Sequence, residues 1–576
     1  MYPPPARPFG GVWDLIVART HTPLPSKAFH NLTRSGAVLL VAACAGTARI
    51  PVRADGATPV PTPPPLPRLV VAVVLDQMGS EALVTLGPLL EGGAFARARR
   101  EGRVLDQVVY AYAATLTAPG HAAIFTGATP RVSGVTSNHV VDRKTGLKRA
   151  VVDDGEHGVL GVAGAFAGPG VLRVDTVADA LELATGGKSK TVALALKDRS
   201  AVLPAGKRGD VALFYDARVG FTTSTYYAAE LPAWLLAFAQ AHPINPAAVR
   251  WDVPDPERLS LLLGPDAAPG EADYKGLGTV FPHVLAGDPD AAELWSYTPD
   301  STEYLLDLAY EAAVQLDLGA DDVPDLLMVS VSGTDYTGHV FGPDSWEYAD
   351  HLRRADRAVL RLYERLAART RVAMLVTSDH GAARLPERVH DALPTATRID
   401  ATMLAAAVDA ELDTALGPGD WVSGYLEPYL FLTEAARTHP DAARARKLAL
   451  DAVARQPGIA AAYDSLDAAK LGQEHRELAT RAYESIDPER SGDVLVIVAQ
   501  GAVPDIGITK GAGTTHGSPW SYDTHVPVWM LGAGVSAGHD AEPLEQARVA
   551  STLCALLGIA PPTAAVAAPL PGARAR

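Results

Sequence analysis

The run Leu69-Val70-Val71-Ala72-Val73-Val74-Leu75 is apolar and rich in β-branched residues, and it stops at Asp76. A run with no polar alternation predicts a strand buried on both faces. Residues 326–331 form a second such run, with Asp335 and His339 just beyond it. Residues 372–376 form a third, which runs into Thr377-Ser378-Asp379-His380. Shorter candidate strands are 191–196, 211–215, 494–498 and 526–531. Apolar residues recur at helical spacing over 302–316 and 346–369, with Asp300-Ser301 and Asp344-Ser345 as candidate caps. Residues 435–456 predict a surface helix. Strands alternating with helices predict an α/β fold, with a mostly parallel central sheet covered by helices on both faces. In such sheets ligands bind beyond the carboxyl ends of the strands. Three of the predicted strand ends carry Asp, or Asp with His.

A second pattern stands out at Ala114-Thr115-Leu116-Thr117-Ala118-Pro119-Gly120-His121, followed by apolar Ala122-Ala123-Ile124-Phe125. It predicts a strand-to-helix corner at Thr117, with Pro119 in the first helical turn, where a missing N–H costs little. A hydroxyl there faces the free N–H groups of a helix start, a natural place for phosphate. Taken alone, Thr117 reads first as an N-cap; the Asp and His residues along the rest of the chain overturn that reading.

Composition changes this picture only at the margins. The 576 residues are 48% hydrophobic and 20% charged, an ordinary globular balance. The formal net charge of −16 argues against nucleic acid as the main partner. The two cysteines, Cys44 and Cys554, exclude a disulfide framework and a Cys-based metal site. Cys554 sits in an apolar stretch and predicts a buried helix position. Near the N-terminus, Arg34-Ser35 precedes the short apolar run 36–44, the shape of a secretory signal. Val41-Ala42-Ala43-Cys44 resembles a bacterial lipobox, which makes Cys44 a candidate membrane tether. The run Pro59-Val60-Pro61-Thr62-Pro63-Pro64-Pro65-Leu66-Pro67 predicts a stiff polyproline linker. An exported protein of the periplasm or cell envelope follows as an expectation. The stretches 143–190 and 217–300 are less periodic and predict insertions that cap the site. The tail from Pro561 predicts a frayed end.

The chemistry-bearing residues complete the pattern. Asp335-Tyr336-Thr337-Gly338-His339 places Asp and His four apart, within reach of one ion on a helical turn or tight loop. Asp379-His380 is an adjacent pair at a strand end. His516 stands in the Gly-bounded stretch Gly513-Thr514-Thr515-His516-Gly517, and Asp76 closes the first strand. Each feature alone is commonplace. Together they form a mixed N and O donor set without Cys, which suits catalytic zinc.

These motifs, in this order, resemble the alkaline phosphatase superfamily over roughly residues 69–560. The Thr at position 117 resembles the branch holding nucleotide pyrophosphatases and the phosphate-irrepressible alkaline phosphatases. Asn138, 21 residues after Thr117, and Lys197-Asp198-Arg199 resemble the phosphate-irrepressible branch. The resemblance implies an alkaline-phosphatase-like fold and two zinc ions. One would be held by Asp335, His339 and His516, the other by Asp76, Asp379, His380 and the Thr117 oxygen. It implies Thr117 as nucleophile, with a phosphothreonine intermediate, and Asn138, Lys197 and Arg199 as substrate-binding and catalytic groups. His121 and His525 match no ligand position and read as supporting or packing residues; His351 and His390 are unassigned. The implied layout is an export region (1–50), a proline-rich linker (51–67), a catalytic domain (68–562) and a tail (563–576). The expected activity is hydrolysis of small-molecule phosphate monoesters. The alternatives are a phosphodiesterase or nucleotide pyrophosphatase with the same ligands, and a non-catalytic zinc-binding surface protein.

Overall fold

The computed structural model describes residues 66–573, apart from 475 and 506–509. The predicted export region, Cys44 and most of the proline-rich linker lie outside the described residues. In chain order, the central sheet takes β1 (Leu69–Leu75), β2 (Arg103–Val109), β3 (Thr191–Ala195), β4 (Val211–Asp216), β5 (Gly220–Thr222), β6 (Asp325–Val331) and β7 (Val372–Thr377). Four strands of a separate sheet follow: β8 (Val422–Leu426), β9 (Tyr429–Leu432), β10 (Ile459–Asp464) and β11 (Val494–Val498). The chain then returns to the central sheet with β12 (His525–Gly532), β13 (Gly538–Asp540) and β14 (Leu544–Glu545).

The central sheet has ten strands in the order β13-β2-β12-β7-β1-β6-β3-β4-β5, with β14 also on β2. Its middle, β7-β1-β6-β3-β4, is parallel throughout. β12 is antiparallel to both β7 and β2, and β5 is antiparallel to β4. Strand β1 shows why an unbroken apolar run was needed. Leu69, Val71, Val73 and Leu75 enter the core on one face, while Val70, Ala72 and Val74 enter the core on the other. Each fully buried Val or Leu side chain contributes about 1.5–3 kcal/mol of transfer free energy. A single charged residue in β1 would break a core whichever way it pointed.

The helices that matter for the site are α1 (Ala94–Glu101), α2 (Thr117–Thr126), α3 (Val177–Thr185), α4 (Asp198–Ala205), α5 (Pro299–Gln315), α6 (Gly333–Phe341), α7 (Trp346–Ala367), α8 (Ala442–Ala454) and α9 (Arg548–Leu557). Residues of α1, α5 and α7 line one core, and those of α2, α3, α4 and α9 line the other. Cys554 is buried in α9.

Several local expectations are corrected. The N-cap of α5 is Thr298, with Pro299 in the first turn, so Asp300-Ser301 is already helical. Ser345 does cap α7 and accepts from Tyr348 N. The helix expected over 435–456 is broken at His439-Pro440 into Glu434–Thr438 and α8, because proline has no N–H to continue the ladder. Strand β11 was legible as a strand, but it pairs with β9 and β10 in the separate antiparallel sheet. The described part of the tail is not frayed. Leu570 is buried, its N–H donates to Thr552 Oγ1 at 2.8 Å, and Ala573 bridges Val535.

Candidate active site

Four adjacent parallel strands, β7-β1-β6-β3, deliver four charged groups to one end of the sheet. Asp379-His380 follow β7, Asp76 follows β1, Asp335 lies in the first turn of α6 just after β6, and Lys197 follows β3. Neighbouring strands lie about 4.8 Å apart, so side chains leaving their ends converge. All of these groups are buried. Lys197 Nζ lies 2.8 Å from Asp76 Oδ2 and 2.5 Å from Asp335 Oδ2, and 3.4 Å from Thr117 Oγ1.

Thr117 is the first residue of α2, and the N-cap is Leu116, whose side chain makes no capping bond. The corner expected at Thr117 is therefore a helix start reached through an irregular stretch after β2. Thr117 is not an N-cap, and its hydroxyl is left for the site. Pro119 does sit in the first turn. Gly120 explains how the helix comes so near the sheet: a Cβ there would stand 2.4 Å from the Asp379 carbonyl oxygen.

The histidines arrive from three places and share one orientation. His339 Nδ1 donates to Thr514 O at 2.8 Å, His516 Nδ1 to Thr115 O at 2.8 Å, and His380 Nδ1 to Gly381 O at 3.0 Å. With Nδ1 fixed by a main-chain carbonyl, the free lone pair is on Nε2. Those Nε2 atoms face carboxylates. His339 and His516 lie 3.2 and 3.5 Å from Asp335 Oδ1. His380 lies 3.5 Å from Asp76 Oδ1 and 3.4 Å from Asp379 Oδ2.

The titration directions of His380 and His516 fit neutral imidazoles among carboxylates. Burial pushes His380 down to about 3 and also lowers His516. Burial and the nearby Asp379 charge raise Asp76 well above the usual carboxylate range. Burial pushes Asp335 and Asp379 the same way. His339 and Lys197 nonetheless hold Asp335 well below that range, and His380 and His121 hold Asp379 below it. Three acidic side chains crowded around one ammonium in a dry site are an expensive arrangement unless cations join them.

The donor atoms test that point directly. Asp76 Oδ1, Asp379 Oδ2 and His380 Nε2 are buried and have no hydrogen-bond partner. Two sets of ligating atoms lie close enough together to hold an ion: Asp335, His339 and His516, and Asp76, Asp335 and His380. The first set is the one expected from the sequence. In the second, Asp335 stands where Asp379 was expected, while Asp379 flanks His380. The residues present therefore fit metal held by imidazole and carboxylate donors.

The remaining predicted residues take different positions. Asn138 is half-buried, and its Oδ1 accepts from Ala118 N at 2.8 Å, beside Thr117. Arg199 contacts its neighbour Asp198 at 3.8 Å, and its Nε is buried without a partner. His121 supports the site: its Nδ1 lies 3.2 Å from Asp379 Oδ2 and its Nε2 lies 2.8 Å from Ser330 Oγ. His525 is partly exposed and contacts Thr524 Oγ1. His351 is buried between Thr302 and Thr337, and His390 contacts Ala396 O; neither meets the site groups.

Two features were missed in the sequence. Gln77 donates from Nε2 to Asp335 Oδ1 at 2.9 Å and from its main-chain N–H to Asp379 Oδ1 at 3.2 Å. Its position next to Asp76 was the available signal. The second is a tyrosine stack beside Lys197, whose Nζ lies 5.1 Å from the Tyr336 ring. Tyr336 stacks on Tyr297 at 4.9 Å, and Tyr297 on Tyr274 at 5.0 Å. The two outer rings come from the stretch 217–300, and a stack between segments so distant in sequence has no local pattern.

The family model for type I phosphodiesterase / nucleotide pyrophosphatase matches residues 70–519. The chain belongs to that family, within the alkaline phosphatase superfamily. Proteins similar to it include the alkaline phosphatase PhoV of Synechococcus elongatus, 30% identical over 87% of this chain and 92% of that protein. The alkaline phosphatase PafA of Elizabethkingia meningoseptica is 29% identical over 88% of this chain and 94% of that protein. A crystal structure of wild-type PafA superposes with a TM-score of 0.81, covering 88% of this chain and 98% of that one. The family fold is thus shared along nearly the whole described chain.

Proposed function

We propose that the protein is a zinc-dependent alkaline phosphatase that hydrolyses phosphate monoesters through a phosphothreonine at Thr117. The observation that carries this reading is the placement of Thr117 Oγ1 at a helix start, 3.4 Å from Lys197 Nζ and beside two His/carboxylate donor groups. The alkaline phosphatases among the similar proteins support the same reading.

Zinc ions in the two donor groups would lower the pKa of a coordinated oxygen acid and stabilise a departing oxygen. Asp335, His339 and His516 would hold one, and Asp76, Asp379 and His380 the other. The chain's own residues do the rest. The start of α2 and the Lys197 ammonium favour an anion at Thr117. Lys197 offers a point charge and Arg199 a fork of donors for non-bridging oxygens. Asn138 spends its carbonyl on Ala118 N and keeps its NH2 group as a further donor. Thr117 Oγ attacks phosphorus, the P–O bond to the leaving oxygen breaks, the Thr117 hydroxyl proton ends on that oxygen to give the free alcohol, and a phosphothreonine forms. Water then attacks that phosphorus from the vacated side, which releases phosphate and restores Thr117.

The second reading, a phosphodiesterase, is favoured by the name of the family model and shares every donor. It is opposed by Lys197 and Arg199, which suit the extra charge of a monoester. Turnover of a monoester and a diester with the same leaving group separates the two. A wild type that prefers the diester would install the second reading.

We also propose export, on the basic-apolar-Cys44 pattern and the proline run that follows it. Within 68–562, the stretches 143–190 and 217–300 serve as the rim of the site. Among the described residues no helix is long and apolar enough to cross a membrane. Fractionation tests export: a full-length protein confined to the cytoplasm would overturn it.

A further inference from the structure

The chain turns sharply after β1, and the turn is made by Gln77 at φ = 70°. Residues with a side chain rarely adopt this left-handed conformation, and those that do in buried sites are held there by their surroundings. Here the hold is visible. Met78 N donates to Ser378 Oγ at 2.8 Å, and Tyr348 OH donates to Gln77 O at 3.1 Å. Gln77 itself is fully buried.

The turn gives one residue two aims. Its main-chain N–H takes Asp379 Oδ1, which leaves Asp379 Oδ2 facing His380. Its side-chain amide takes Asp335 Oδ1, the same oxygen that faces His339 and His516. Helix α6 leaves room for that amide at Gly338, where a Cβ would stand 1.7 Å from Gln77 Oε1. Gly338 has no positive φ to explain it, so the space is for the side chain of Gln77.

We propose that Gln77 is a positioning residue that holds the two metal groups in register, fixing Asp379 through its main chain and Asp335 through its amide. This rests on the reading of both groups as metal sites. The amide orients the Asp335 carboxylate without contacting substrate.

The test is zinc binding rather than turnover. Metal-stripped wild type and Gln77→Met are reloaded with zinc in competition with a chromophoric chelator, and the melting temperatures of the stripped forms are compared. Met keeps the length and removes the donor. The stripped forms should melt within a few degrees of each other, while zinc affinity of the Asp335 group falls about 10- to 100-fold, the usual effect of losing an outer hydrogen bond to a ligand. Gly338→Ala, which places a methyl where the amide sits, should lower zinc affinity in the wild type and have no further effect in Gln77→Gly. Equal zinc affinity in wild type and Gln77→Met would overturn the assignment, as would a Gly338→Ala effect that persists in Gln77→Gly. A wild type that binds no zinc at all would overturn the metal reading itself, before any variant is compared.

Discussion

His380 lies nearly flat on His516, with ring centroids 3.5 Å apart and planes inclined by 19°. One ring follows β7 and the other stands in the loop before β12, so the stack fastens that loop to the sheet. It also sits on the seam between the two donor groups, since His380 faces Asp76 and Asp379 while His516 faces Asp335. Two rings this close are tolerable only when uncharged, and burial lowers the pKa of both.

The first prediction concerns metal. Unpaired buried donors on Asp76, Asp379 and His380 call for a cation. Elemental analysis should find about two zinc ions per chain, with imidazole and carboxylate ligands. A chelator should abolish turnover, and added zinc should restore it. Full turnover in a metal-free preparation would exclude the proposed chemistry.

The second prediction separates two threonines. Thr117 Oγ1 faces Lys197, whereas Thr115 Oγ1 donates to Ser518 O at 2.8 Å and is committed to structure. Thr117→Ala should lower kcat at least about a thousandfold, as removal of a nucleophile does. Thr115→Ala should cost far less, and its loss should appear mainly in thermal stability. The opposite ranking would move the nucleophile to Thr115.

A third prediction lies outside the site. Asp356, on α7, accepts from Phe95 N at 2.8 Å, and its Oδ2 is buried without a partner. Burial raises its pKa from 3.8 to about 7. Between those values the folded state keeps a proton that the unfolded state releases, so stability should fall as pH rises through that window. Glu182 and Glu271, raised by burial to about 7 and about 8, add the same slope. The difference between wild type and Asp356→Asn therefore isolates Asp356. The variant should melt higher than wild type near pH 8, and the gap should close near pH 4. Parallel melting curves at both pH values would show that Asp356 does not titrate this way.

Much of this architecture was legible because its signals are local. A strand buried on both faces must be apolar at every position, and β1, β6 and β7 announced themselves in that way. Asp76, Asp335 and Asp379 then followed from where the strands end. The hidden parts depend on contacts distant in sequence. Strand β11 looked like the others but pairs in a second sheet, because partner choice is not written in a strand's own residues. Leu570 packs near α9 although its surroundings are rich in Ala and Pro. Gln77 was passed over because its backbone conformation, rather than its residue type, gives it two partners.

The last prediction concerns substrate choice. Lys197 already touches both Asp76 and Asp335 as well as Thr117, so its removal affects more than the substrate. Arg199 is freer, since its contact is with Asp198. A monoester is largely a dianion near neutral pH and can satisfy Lys197, Arg199 and the Asn138 amide with its non-bridging oxygens. A diester puts a carbon substituent on one of those oxygens and leaves a donor unpaired, at a cost of about 1–3 kcal/mol. At about 1.4 kcal/mol per tenfold, one such unpaired donor separates the substrates by about one to two powers of ten. Arg199→Ala should therefore cut monoester kcat/KM strongly and diester kcat/KM little, with zinc content unchanged. Lys197→Ala with Arg199→Ala should deepen the monoester loss, and zinc content must be measured alongside, because Asp76 and Asp335 lose the ammonium that Lys197 gives them. An equal fall for both substrates in Arg199→Ala, at full zinc, would remove Arg199 from substrate discrimination.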